Sequence, residues 1–290
     1  VSDRQVAETR RWLRWWRVVL PLALLVVFGS WAVTSPVGSS PDDDYHLSSI
    51  WCAGGERSGV CEVVADEPQA LAVPESVGFA YECFAFQPAV TAACTERLTE
   101  TLVPTQRVNN RQGLYPSFFY RVMNVFVGDD PQRSVLMMRL FNAIVFVALL
   151  SVALTILTPA IRSAVTVVTA VVLVPLGLFI IPSTNPSSWT VTGLVFLWAF
   201  GLSLAQRTSW RSRRTWLLAI ATCVSAFLAI GSRVDASAFV AVVVIVVFVL
   251  TGWAKARASW ISFVVLLVLA TIGLVQFATF GTPGSGVSGG

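Results

Sequence analysis

The chain has 290 residues, 55% hydrophobic and 12% charged, with a formal net charge of +4 and a mean hydropathy of +0.72. A water-soluble globular chain carries roughly 25% charged residues, so half that fraction leaves too little polar surface for a soluble particle, and soluble enzyme folds are excluded. The positive balance is scattered over short turns and forms no stripe that could follow a nucleic-acid backbone, which excludes that partner as well.

Taken in chain order, the apolar residues fall into long blocks. A bilayer core asks for roughly 20 apolar residues per helix, and seven blocks qualify: Val18–Val33, Val135–Leu157, Ala164–Ile181, Trp189–Ala205, Trp216–Ile230, Ala236–Gly252 and Trp260–Phe280. The expected fold is an all-α polytopic membrane protein. Its divisions are a cytoplasmic basic segment (1–17), a first transmembrane helix (18–33), a large loop (34–134), a six-helix region (135–280) and a Gly/Ser-rich tail (281–290). The tail reads as the start of a truncated outer loop. No clean small-x-small cleavage site follows the first block, so it is expected to stay as a span. The cationic, Trp-rich Arg10–Arg17 marks an inner headgroup layer, and Arg162, the arginines of 207–214, Lys255 and Arg257 then all fall on the same inner side. This gives N-in, C-out, with the large loop outside. Only Lys255 among the 20 basic residues is lysine, a bias associated with high-GC bacterial genomes.

The large loop opens with Ser39-Ser40-Pro41-Asp42-Asp43-Asp44-Tyr45-His46. Serine and proline before acidic residues announce a helix start, and His46 then lies three and four residues after Asp43 and Asp42, on a shared face. Adjacent carboxylates raise the proton affinity of at least one of them, which suits proton abstraction or a hard divalent cation; the plain alternative is a solvated acidic helix start. Cys52, Cys61, Cys83 and Cys94 follow. None forms a CxxC pair, so zinc is disfavoured. Outside the cytosol an even number reads as disulfides; sequence proximity favours Cys52–Cys61 and Cys83–Cys94 among the three pairings available.

Arg107–Arg121 mixes aromatics with cations and leads into an amphipathic stretch, Phe118–Val127, expected in the headgroup layer with Arg121 at phosphate level. Further along, Arg139 stands one turn inside the second span, the Ile181–Trp189 turn is rich in Pro, Ser, Thr and Asn, and Arg233 and Asp235 stand between the fifth and sixth spans. Charges at such depth face a partner or a wet cavity, although a snorkelling Arg139 and a local Arg233–Asp235 pair are the simpler alternatives. Cys223, in the fifth span, reads as an apolar core thiol. Acids, a histidine and arginines thus gather on the outer side, where no nucleotide is available, so chemistry there needs a donor carrying its own activation.

The order of these features resembles the GT-C class of membrane glycosyltransferases, which includes protein O-mannosyltransferases and arabinosyltransferases. Asp42-Asp43 with His46 is similar to the acidic motif of that class's first outer loop, Leu114–Tyr120 to its proline-aromatic segment, and Arg139-Leu140 to its Arg-Leu atop span two. The chain also resembles an uncharacterised, domain-of-unknown-function family of bacterial integral membrane proteins grouped with that class, whose first motif runs Pro-Asp-Glu-x-x-His. Here Asp43 replaces the glutamate, and the chain has fewer spans than most such enzymes.

The resemblance implies a polyprenyl-phosphate sugar donor, an envelope glycan or protein acceptor, and a place in the bacterial cytoplasmic membrane with the active face outward. Asp42 or Asp43 would be the base and His46 would orient a carboxylate. Arg233, Arg139 and Arg121 would meet the phosphate, with Tyr115 and Asn185 completing the substrate-binding set. A divalent cation, Mg or Mn, held by Asp42 and Asp43 is allowed but not required. The competing classes are a lipid or solute transporter, suggested by Pro175 inside span three and Arg139 at depth, and a non-catalytic envelope scaffold built on the disulfide-bonded loop.

Overall fold

The first apolar block is the second half of one long helix. The computed structural model describes residues 3–280 except 68–69, 108–109 and 111–112. Helix α1 covers Asp3–Thr34, so the basic segment continues the helix, and Trp15–Thr34 is its membrane-spanning part. The tail 281–290 and four residues of the Arg107–Arg121 segment lie outside the described residues.

The large loop holds α2 (Asp43–Trp51), strands β1 (Glu62–Val63) and β2 (Leu71–Pro74), the single turn α3 (Glu75–Gly78), β3 (Leu102–Thr105) and α4 (Ser117–Asn124). The strands form a small antiparallel sheet in which Ala72 pairs with Glu62 on one side and Pro104 on the other. Proline cannot donate to a ladder; Pro104 lies in the edge strand β3, and Pro74 ends the central strand beyond its pairing with β1. Disulfides join Cys52 to Cys61 and Cys83 to Cys94, the pairing that sequence proximity favoured. Closing such short loops stabilises the fold by about 2–4 kcal/mol each. The loop is too polar to build a large core alone. Its buried Ile50, Trp51 and Val73 instead join Phe119 of α4 and Met138 and Phe146 of the next helix in one continuous cluster.

That next helix, α5 (Pro131–Ile156), starts on a side-chain cap, with Asp130 accepting from the Arg133 amide at 3.0 Å. The third block is not one helix. It is α6 (Pro159–Val172), a π-helical turn over Leu173–Gly177, and the short α7 (Leu178–Ile180). Pro175 lacks the N–H that the ladder requires, and the wider turn absorbs the loss. Helices α8 (Ser187–Ala205), α9 (Arg213–Ser232), α10 (Val234–Thr251), the short α11 (Trp253–Ala258) and α12 (Trp260–Phe280) complete the bundle. The fifth span therefore extends beyond the expected Trp216–Ile230 at both ends. Among the described residues six helices are long and apolar enough to cross a membrane, with α6 a shorter apolar companion.

Helix α8 packs along α9, α10 along α12 and α1 along α5. A Cβ at Gly193 would stand 2.5 Å from the Ser225 carbonyl oxygen, so only glycine permits the α8–α9 approach, the small-residue packing usual between membrane helices. Leu22, Val26, Ile220, Ile245 and Leu267 face outward, an apolar belt that belongs in hydrocarbon.

Candidate functional site

The chain leaves α1 at Thr34, and the carbonyls beyond it need donors. Arg139 of α5 supplies them. Its Nη1 donates to the Ser35 oxygen, and its Nη2 donates to the Pro36 oxygen at 2.8 Å and to Ser39 Oγ at 3.3 Å. The guanidinium is 2% exposed and lies 3.7 Å from the Asp43 carboxylate. Asp43 reaches back to accept the Ser40 amide at 2.9 Å and also accepts the Thr184 hydroxyl. Burial pushes its carboxyl above the usual range, against the pull of Arg139 and of the Thr184 and Ser40 hydrogen bonds.

The Thr184 turn, between α7 and α8, is the platform to which this knot is tied. Asn185 donates to the Pro41 oxygen at 2.8 Å and accepts the Ser187 amide at 2.8 Å. Asn142, one turn after Arg139, donates to the Ser183 oxygen at 2.7 Å and accepts Trp189 Nε1 at 2.8 Å. The expected helix start at Pro41 is displaced: α2 begins at Asp43, because Asp42 takes a left-handed backbone conformation, φ 57°, which aspartate tolerates. Its side chain is exposed, and its backbone carbonyl is what meets His46, accepting that residue's amide at 2.9 Å.

A second cluster begins at His46, one turn into α2 and 1% exposed. Its Nδ1 lies 2.8 Å from the Tyr120 hydroxyl, and its Nε2 is buried without a partner among the described residues. Burial first, and the Arg233 charge second, push the imidazole down to about 3, so the ring is neutral. Tyr45, Tyr115 and Tyr120 stand around it at ring-centroid distances of 5.1, 5.3 and 6.0 Å. The Arg233 guanidinium sits 5.6 Å from the Tyr115 centroid, within cation–π range. Asp235 orients it, accepting from Nε at 2.9 Å and from Nη2 at 3.1 Å. This hydrogen bonding is the main reason its pKa is raised. Nη1 makes only a long contact, 3.4 Å to Ser187 on the platform.

Helix α4 divides two cavities. Below it, Phe118 packs edge-on to Phe227 and beside Trp189. It roofs an apolar groove of about 500 Å³ between α5 and α9, lined also by Phe141, Val145 and Cys223. A Cβ at Gly231 would meet the Phe118 ring at 2.7 Å, so glycine is what lets this roof lie flat two residues before Arg233. On the other face of α4, Ser117, Tyr120 and Arg121 border a more polar hollow of about 410 Å³ with Ser49, Glu56 and Asn110.

The expected site residues thus separate into two groups. Asp43, Arg139 and Asn185 form the buried knot, while His46, Tyr115 and Arg233 form the aromatic cluster. Arg139, expected at the phosphate, has its guanidinium engaged by loop carbonyls and Asp43, so it holds the fold rather than a ligand. Asp43 and His46 bond to different partners and do not act as a pair. Asp44 pairs with Arg107. Arg121 is exposed on α4. Asp42 and Asp43 do not fit a cation: both oxygens of Asp43 accept protein donors, Asp42 points to solvent, and no group of three potential ligands occurs among the described residues.

Thr184, Asn142, Trp189 and Tyr120 were not singled out from the sequence. Only Asn142 carried a local signal, its i+3 spacing from Arg139 on a helix. Cys223, expected in the core, is exposed on α9.

No curated protein and no solved structure matches the chain. A family model does match, over residues 25–290. Seven apolar helical segments, a disulfide-bonded loop and this match together place the chain in the family described as Predicted membrane protein (DUF2142).

Proposed function

We propose that this protein is a GT-C-like glycosyltransferase of the bacterial cytoplasmic membrane, moving a sugar from a polyprenyl-phosphate donor to an envelope glycan or protein acceptor on the extracytoplasmic side. One observation carries the reading: Phe118, which roofs the apolar groove, lies against Gly231, two residues before Arg233 of the cationic, aromatic cluster with Tyr115, Tyr120 and His46. A molecule with an isoprenoid tail and a phosphate head satisfies both halves. The basic inner turns support the N-in orientation, with the loop outside.

In this reading the prenyl chain lies against Phe118, Phe141 and Phe227, and Arg233 Nη1 turns from its long Ser187 contact to the phosphate. Asp42, the exposed acid at the start of α2, takes the proton of the acceptor hydroxyl. The hydroxyl oxygen bonds to the anomeric carbon as the bond from that carbon to the phosphate oxygen breaks. The electron pair leaves with polyprenyl phosphate, whose growing charge Arg233 stabilises. The Tyr115 ring faces the sugar, the buried His46 holds Tyr120 behind it, and the hollow beside Arg121 receives the acceptor. Asp43 and Arg139 are positioning residues that hold Asp42 and the platform in place.

The test is release of decaprenyl phosphate from a decaprenyl-phosphate-linked pentose or hexose, with washed envelope as acceptor. Asp42→Asn, which keeps the left-handed backbone accessible, is expected to remove transfer while leaving folding unchanged. Full activity in D42N would remove the base assignment, full activity in R233Q would remove the phosphate assignment, and no release by the unmodified chain would overturn the enzymatic reading.

A further inference from the structure

At the end of the bundle away from the large loop, the last turn of α5, the first turn of α6 and the start of α9 border an open hollow of about 540 Å³. Arg162, Arg213 and Arg214 line it together with Leu157 and Leu217. Two of the guanidiniums are fixed by carbonyls at the end of α5 that have no partner within the helix. Arg162 Nη2 donates to the Leu157 oxygen at 2.7 Å, and Arg214 Nε donates to the Ile156 oxygen at 2.7 Å. Each anchor uses one N–H of a five-donor fork, and Arg162 Nε is buried with no partner among the described residues. Arg213 is exposed.

Among the described residues no acid pairs with this cluster. The sequence has no Asp or Glu between Asp130 and Asp235 or after Asp235. Asp3 and Glu8 lie on the first turns of α1, roughly 13 Å or more along the helix from Arg17, and every other acid lies in the large loop. The described ion pairs are all at the opposite end. Arg207, in the turn before α9, feels the crowding: burial first and the Arg214 charge second lower its pKa.

The depth is marked independently. Trp210 and Trp216 pair edge-on at 5.1 Å, and Trp216, Trp253 and Trp260 are exposed at this end, as tryptophans are at a headgroup layer. Leu217, exposed in the wall of the hollow, then faces the first carbons of an acyl chain.

We propose that Arg162, Arg213 and Arg214 form a binding site for the phosphodiester headgroup of an anionic phospholipid from the leaflet facing the basic turns. The forks held by α5 present N–H groups to the phosphate, and the exposed Leu217 contacts its glycerol and upper acyl carbons. The site is independent of any sugar transfer at the other end.

The test uses the full chain purified in detergent, with native mass spectrometry titrating phosphatidylglycerol, phosphatidylcholine or inorganic phosphate. Phosphatidylglycerol is expected to bind in preference to phosphatidylcholine, and millimolar phosphate should not displace it. R213Q, which removes no internal hydrogen bond, should weaken phosphatidylglycerol binding about fivefold, the effect of about one surface arginine. R162Q/R213Q/R214Q should abolish the preference; if that variant does not fold, R213Q decides. Equal binding of the two lipids, displacement by inorganic phosphate, or unchanged binding in R213Q would each overturn the proposal.

Discussion

Arg139 and Arg233 stand at the same end of the bundle, yet they occupy opposite kinds of environment. Arg139 is 2% exposed and bonded to backbone carbonyls and a buried acid. Arg233 is 30% exposed, oriented by a half-exposed acid, and keeps one nitrogen almost unused. A guanidinium surrounded by protein acceptors fixes chain geometry, whereas one held from a single side can still meet a ligand. Depth in a span therefore does not by itself identify an anion site; the number of remaining donors does.

The sharpest way to break this contrast is at the knot. Removing one partner of a buried pair costs about 3–5 kcal/mol, so Arg139→Met is expected to lower thermal stability in detergent by that order. R139M together with Asp43→Leu should recover most of it. A loss under about 1 kcal/mol for R139M would show that the knot is incidental.

At the other arginine the loss should be functional instead. Arg233→Gln is expected to cut decaprenyl phosphate release about 100-fold with little change in melting temperature. A variant as active as the parent would detach Arg233 from the chemistry.

His46 offers a pH test between the two. Its folded pKa is held near 3 against the ordinary 6.5, so the unfolded chain binds the extra proton. The stability this gives is complete above pH 6.5 and falls as pH drops toward 3, by at most about 1.4 kcal/mol per pH unit. Thermal melts from pH 7.5 to 5 should show that acid-side slope, and His46→Gln should flatten it; an unchanged slope in H46Q assigns the pH dependence elsewhere. The smallest effect is expected from Asp235→Asn. An exposed pair contributes about 0.2–1 kcal/mol, so stability should barely move, while a reoriented Arg233 should raise the apparent KM for the lipid donor.

Much of the frame is legible in the residues because its causes are local. Continuous apolar runs need internal backbone bonds, and cysteines close in sequence need only short loops to meet. The division of labour between Asp42 and Asp43 was not legible, because it depends on one left-handed φ at Asp42 and on Thr184, which is 141 residues away from Asp43. The same holds for Tyr120 and His46, which are joined across 74 residues. The third span failed differently: its composition is that of a helix throughout, and only the missing amide of Pro175 pointed to the π-helical turn. The depth of Arg139 is legible in its span, but which acceptors surround it rests on contacts more than 100 residues apart in the chain.

Cys223 has a practical consequence. The other four cysteines are joined in disulfides, so it is the single free thiol, and it opens onto the groove beneath Phe118. The native chain therefore comes with its own reporter position. A nitroxide or a small fluorophore attached there would report whether a lipid tail enters the groove, with no engineered mutation.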